Sequence, residues 1–353
     1  MPKFLIKLTP LEPYFFGGEH IFEIGGNNKQ YFIRSLDTPS QTTLFGALRY
    51  IGINNPSKNF HLKEEDKKNI GDFGFKIDDK SINDFGKIEC ISPLYITDQE
   101  DNFLIRTPFD HKIKGEEQES DGERKPNKIY SPFKKYCGPV HTVDDGKRFF
   151  PMDYTAKDGL ANSWMSIRER AIYDDLFRGH EKIGINKKQK ENGFFKREYK
   201  TLKQGFSFAF FAETKDGFEP QNEILYLGQG KSLFKADWDT ENSEILGKIA
   251  IPDDLIGEKM VYAQSDLYVP ENIHVLYNDC EFVCVKTRDF SVFTTDYRRA
   301  TIVTDRFQKG KNIKLIQAGS MFRTNNVSGF KEKIQNSHVE IAGFNKIIGG
   351  KVK

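Results

Sequence analysis

Residues 4–51 spell a strand, an aromatic–glycine turn, a second strand and a capped helix in close succession. The first strand runs from Phe4 to Leu8. Phe15-Phe16-Gly17-Gly18-Glu19 forms the turn, and Tyr31–Arg34 reads as the next strand. Pro39 and Ser40 then open a helix that carries Leu44, Leu48 and Ile51 on one apolar side. A sheet with a helix laid on it is the architecture this order requires. The 31 Phe and 14 Tyr set against 2 Trp favour strands throughout the chain. The expected fold class is therefore α+β.

The 353 residues suffice for one large or two average domains with a real core. No run of about 18 apolar residues exists, so no membrane span is expected. The start, MPKFLIKLTP, reads as a strand rather than a signal peptide. Four scattered cysteines (Cys90, Cys137, Cys280, Cys284) read as reduced thiols in a cytoplasmic protein, and they lack the second paired cluster of a zinc site. No metal and no cofactor is expected.

Net charge is only +2, but it is unevenly distributed. Residues 181–203 hold eight basic and three acidic side chains, and residues 286–314 hold the same numbers, so each segment carries +5 and the remainder −8. Two basic segments on an otherwise acidic chain describe a localised basic surface, which suits nucleic acid.

A helix is expected over Ser163–Phe177, with Trp164, Ile167 and Ala171 facing inward, and a short helix plus loop within residues 58–84. Residues 111–126 read as an acidic surface loop. A basic β-hairpin spans about 181–205, with Gly193 near its tip. Strands are expected at 205–213, at 225–234 around a glycine turn, at 261–269, 281–286 and 313–318, and in the tail VEIAGFNKIIGG. The division suggested is residues 1–160, with an insertion over about 55–160, and residues 161–353.

Several segments could carry chemistry. At the helix start, Ser40, Gln41, Thr42 and Thr43 offer hydroxyl and amide groups beside free backbone N–H groups, with Arg34 and Ser35 before them and Arg49 after. Such a start can hold a phosphate; it reads equally well as an ordinary N-cap. In the hairpin, Lys187, Lys188, Lys190, Lys196 and Arg197 interleave with Phe194, Phe195 and Tyr199, a pattern that suits stacked bases and paired phosphates. Gly228, Gly230, Lys231 and Ser232 form a glycine turn that lacks the spacing of a phosphate-binding P-loop. Its backbone could approach RNA closely. Arg298 and Arg299 are candidates in the second basic segment. For catalysis only His20 beside Glu19, or His180 beside Glu181, could supply an acid–base group; no nucleophile motif accompanies them.

PYFFGGEHIF followed by PSQTTLFGALRY, then IGINKKQKENGFFKREYKTLKQGFSFAFF, LGQGKSLF and LIQAGSMF, together resemble the RAMP superfamily of CRISPR-associated proteins. Their order and spacing are most similar to the third-counted subunit of type III-B (Cmr) effector complexes. The resemblance covers both ends of the chain well and residues 55–160 poorly. It implies two ferredoxin-like (RRM-like) domains with insertions, and an RNA-binding subunit that does not cut. That subunit would cap the 5′ handle of the CRISPR RNA, meet target RNA only indirectly, and dock the large polymerase-like subunit and a backbone-type subunit. A processing endoribonuclease of the same superfamily is the alternative.

Overall fold

The computed structural model of the chain describes residues 3–17, 20–21, 31–53, 63–71, 74–80, 84–113, 130–132, 162–185, 194–228, 231–240, 249–251, 256, 259–270, 272–295 and 307–349. Strands are numbered in chain order. β1 (Lys3–Pro10) buries Leu5, Ile6 and Leu8, side chains of both parities, and so it sits inside a sheet covered on both faces. That sheet has nine strands in the order β10-β9-β6-β5-β13-β1-β15-β14, with β4 also on β13. Its other members are β4 (Ile88–Ile91), β5 (Tyr95–Thr97), β6 (Phe103–Arg106), β9 (Trp164–Ser166), β10 (Ile172–Tyr173), β13 (Ser207–Thr214), β14 (Ile224–Leu227) and β15 (Ser232–Thr240). β1 is antiparallel to both neighbours, with Ile6 opposite Phe210 on one side and Trp238 on the other.

On one face, Tyr14, Phe16, Phe208 and Phe234 form an aromatic cluster with ring centroids 4.9 to 6.4 Å apart. Helix α1 (Gln41–Ile51) adds Leu44, Phe45, Leu48 and Ile51 to that core. On the other face, Leu5, Tyr95, Phe103 and Phe211 pack against Met260, Tyr262, Phe282 and Met321. Those last residues come from a four-stranded sheet, β18-β21-β16-β22, made of β16 (Met260–Ala263), β18 (Cys280–Cys284), β21 (Met321–Thr324) and β22 (Ile347–Gly349). Helix α4 (Val327–Ile334) closes its far side, bringing Phe330 within 4.8 Å of the Phe322 ring. Short helices α2 (Glu64–Ile70), α3 (His274–Tyr277) and α5 (Ser337–Ile341) are also present among the described residues.

Three smaller sheets remain among the described residues. β2 (His20–Ile21), β3 (Tyr31–Arg34), β11 (Phe177–Ile185) and β12 (Phe194–Leu202) assemble in the order β11-β12-β3-β2. β17 (Leu267–Tyr268), β19 (Thr287–Thr295) and β20 (Phe307–Ile316) form the second, and β7 (His111–Ile113) with β8 (Tyr130–Pro132) the third.

The fold is a sheet-rich α+β arrangement, as the composition led us to expect. Three local expectations fail. The helix over Ser163–Phe177 is instead β9, a turn with Arg170 at φ 56°, β10 and the start of β11. Trp164, Met165 and Ser166 are all buried because β9 lies between β6 and β10, and pairing inside the sheet overrides the helical spacing of the apolar residues. Residues 88–106 are no insertion, since β4, β5 and β6 build the central sheet. A division at residue 160 would therefore cut that sheet, whose strands come from both sides of it. In the tail, Val339 and Ile341 are helical, and only Ile347–Gly349 is a strand.

Candidate nucleic-acid interface

The hairpin β11–β12 projects two different chemical faces. Antiparallel register pairs Lys182 with Arg197, His180 with Tyr199 and Arg178 with Thr201 on one side. It pairs Ile183 with Lys196, Glu181 with Glu198 and Gly179 with Lys200 on the other. Directly opposed residues share a face and successive residues alternate, so Lys196 and Arg197, adjacent in sequence, point in opposite directions.

On the first face the Lys182 ammonium stands 4.4 Å from the Tyr199 ring centroid, and the Arg197 guanidinium 5.4 Å from that of Phe15. The Phe15 and Tyr199 rings lie 5.4 Å apart. Cations and rings thus alternate, each cation drawn to a ring's negative face. Arg178 and Lys182 are exposed, and the three paired positions on this side hold no carboxylate.

The second face neutralises itself. Lys196 meets Glu181 at 2.7 Å, Arg34 meets Glu198 at 3.2 Å, and Lys200 meets Glu198 at 2.7 Å and Asp37 at 3.3 Å. Partial burial opposes the Lys200 charge, but hydrogen bonding and attraction from Glu198 and Asp37 outweigh it and hold its pKa above the ordinary value.

A glycine turn supports the first face. Gly228 has φ 72°, and a Cβ there would fall 2.3 Å from the Phe15 carbonyl oxygen. Only glycine allows that approach, which seats the end of β14 on the Phe15 backbone. Lys231 follows at φ 50° and is exposed. Ser232 is buried, its hydroxyl donating to the Pro13 carbonyl at 3.4 Å. The aromatic–glycine turn, the glycine loop and the hairpin, distant in sequence, therefore meet at Phe15.

The helix start has intramolecular tasks. Ser40 Oγ accepts from the Thr43 N–H at 3.3 Å and lies 2.9 Å from the hydroxyls of Thr42 and Thr43, so it is the N-cap. Gln41 is buried and its Nε2 donates to the carbonyls of Ser92 and Ala342 at 3.1 and 3.3 Å. Arg49 is buried too; its guanidinium donates to the carbonyls of Ile70 and Gly71 at 3.0 and 3.1 Å. Ser35 is buried, accepting from the Phe16 N–H at 2.9 Å. Gln41, Arg49, Ser35 and Ser232 are thus corrected from surface candidates to internal ties, because their donors face the protein's own carbonyls.

Lys187, Lys188, Lys190, Gly230, Arg298 and Arg299 lie outside the described residues. In the second basic segment, Arg288 pairs with Asp266. A cavity of about 780 Å³ beside it is lined in part by Tyr268, His274, Tyr277 and Lys314. Among the described residues no group of three or more His, Cys, Asp or Glu could hold a metal ion, and no helix is long and apolar enough to cross a membrane. The sequence reading missed Arg178, Lys182 and the ring of Phe15. Period-two alternation along the hairpin would have singled out the two cations once its register was known. Phe15 carries no such signal, since its contact with Tyr199 is tertiary.

Residues 6–249 match the model of the family described as CRISPR-associated protein (Cas_Cmr3). The chain belongs to that family. A search of curated proteins finds no match. Among solved structures, a chain of "Cryo-EM structure of the Type III-B Cmr-beta bound to cognate target RNA" is similar over 98% of this chain and 96% of that one, with a TM-score of 0.54 and 15% identity. A chain of "Crystal structure of Csm3-Csm4 subcomplex in the type III-A CRISPR-Cas interference complex" aligns over 92% and 93% at 14% identity, with a TM-score of 0.37. The first likeness shows a shared fold. As a Cas_Cmr3 family member the chain is a RAMP-type subunit of type III CRISPR effectors, and among the described residues the cation–aromatic face has chemistry suited to RNA.

Proposed function

We propose that this chain is a non-catalytic RNA-binding subunit of a type III-B effector in the cytoplasm, gripping the 5′ repeat-derived handle of the guide RNA and anchoring the large polymerase-like subunit beside it. The observation that carries this reading is the face formed by Arg178, Lys182, Arg197 and Tyr199 over the buried Phe15 ring, where cations lie over rings and no carboxylate intervenes among the paired positions. Splayed bases stack on Tyr199 while phosphates take the cations, as single-stranded RNA demands. Two ferredoxin-like units go with this reading, one centred on the nine-stranded sheet and one on the sheets of residues 260–349. A backbone-type subunit is the second protein neighbour, and target RNA is reached only through the guide.

The test is a salt titration of single-stranded repeat RNA binding. Lys182→Ala should lower the slope of log affinity against log salt by about 0.7, the value of one single-strand phosphate contact. An unchanged slope and affinity would remove Lys182 from the interface. The same incubation checks the non-catalytic claim. Metal-independent cleavage abolished by His180→Ala, the histidine opposite Tyr199 on this face, would overturn it in favour of an endoribonuclease.

A further inference from the structure

The nine-stranded sheet ends at β14, which among the described residues pairs only with β15. Its sequence is Ile-Leu-Tyr-Leu, with no charge and no proline. Leu225 and Leu227 point into the core, and Ile224 and Tyr226 point outward, 46% and 60% exposed. Tyr226 is opposite Leu233, and the Leu11 N–H donates to the Leu233 carbonyl at 3.0 Å. Leu11 is itself 54% exposed. Leu11, just past the end of β1, with Leu233 on β15 and Tyr226 and Ile224 on β14, thus make an apolar patch running to an edge unpaired among the described residues.

Terminal strands that face water are normally blunted by charge, proline or a bulge, because an open ladder recruits other strands. β11, the terminal strand of the hairpin sheet, follows that rule with exposed Arg178, Glu181 and Lys182. β14 does not. The segment leading into it also carries Asp216, Glu219 and Glu223, all exposed. Glu223 is attracted to Lys235, which lies opposite Ile224 and pairs with Asp237, whereas Asp216 and Glu219 are in no ion pair among the described residues. A strand with no charge of its own, preceded by three exposed carboxylates of which only Glu223 has a cation near it, is complementary to one kind of occupant.

We infer that the outer edge of β14 docks an extended segment of another protein subunit, one with apolar side chains at alternate positions and lysine or arginine where it meets Glu219 and Glu223. The added strand takes its main-chain hydrogen bonds from β14, and its apolar side chains cover Tyr226 and Leu11. The inference rests on the edge and on membership of a multi-subunit family, not on the RNA reading.

The experiment reconstitutes the full chain with the other protein subunits of its own effector complex and follows assembly by native mass spectrometry and titration. Tyr226→Lys should weaken association with one subunit at least tenfold, and Glu219→Lys with Glu223→Lys should weaken the same association and abolish its salt dependence. Repeat-RNA affinity and melting temperature of the isolated chain should stay within error, which separates this surface from the RNA face. Tyr226→Ser is the milder variant if the lysine disturbs folding. Unchanged association in Tyr226→Lys or Tyr226→Ser would overturn the site. Unchanged association in the charge-reversed variant would overturn the basic partner. A Tyr226 variant that abolishes only self-association of the isolated chain would assign the edge to a second copy and overturn the inference.

Discussion

The two faces of the β11–β12 hairpin are built from the same strands, and the acidic side chains of the ladder all fall on one of them. Glu181 and Glu198 lie opposite one another, beside Lys196 and Lys200. One residue along each strand, Lys182 and Arg197 are opposed over the rings of Tyr199 and Phe15. Counting charges over residues 181–203 merges these two populations. The face with a closed set of ion pairs is suited to solvent, and the face with rings under its cations is suited to a polyanion that also stacks. The difference is a matter of parity: a shift of one residue in register would exchange the two faces.

The comparison breaks most completely if the platform beneath it is removed. Phe208 is fully buried and meets Tyr14, Phe16, Phe177 and Phe234. Phe208→Ala should destabilise the fold by about 3–5 kcal/mol, measured by denaturant unfolding. Both faces should lose function together, because Phe16 and Phe177 border the segments that hold the hairpin.

A smaller effect sharpens the comparison. Tyr199→Ala should weaken single-stranded RNA binding by about 1–3 kcal/mol, the range for one stacked base, while Tyr199→Phe should leave it nearly unchanged. Equal losses in both variants, measured by fluorescence anisotropy, would mean that the hydroxyl rather than the ring is the recognised group.

The smallest expected effect lies on the opposite face. Lys196→Gln removes the 2.7 Å contact with Glu181, in which both side chains are about half exposed. It should change stability and RNA affinity by no more than about 0.5 kcal/mol, since exposed ion pairs contribute little. A loss as large as that of Tyr199→Ala would mean that the neutralised face also meets RNA.

Much of this was legible in the residues. Pro39 and Ser40 announced α1 and its cap, and the interleaved cations and aromatics announced the hairpin. What stayed hidden depended on distant partners. The helix start offered the same hydroxyls to a cap or to a phosphate, and only the Thr43 N–H at Ser40 decides for the cap. Gln41 and Arg49 look like surface groups until their carbonyl partners at Ala342 and Ile70 are in place. Trp164, Ile167 and Ala171 satisfy a helical period as well as a buried strand and turn, and the sheet neighbours of β9 make the choice.

The central position of β1 also sets the order in which the chain can become a protein. Its two neighbours, β13 and β15, lie at residues 207–240, about two hundred positions downstream. At roughly 5–20 residues per second, a ribosome exposes that strand for about 10–40 s before either edge can be paired. Leu5, Ile6 and Leu8 are then among the first side chains made, and they wait for both neighbouring strands until residues 207–240 exist. Folding has to wait for long-range closure, the slow route for any sheet. A truncation before residue 207 should therefore leave an aggregating fragment rather than a smaller domain.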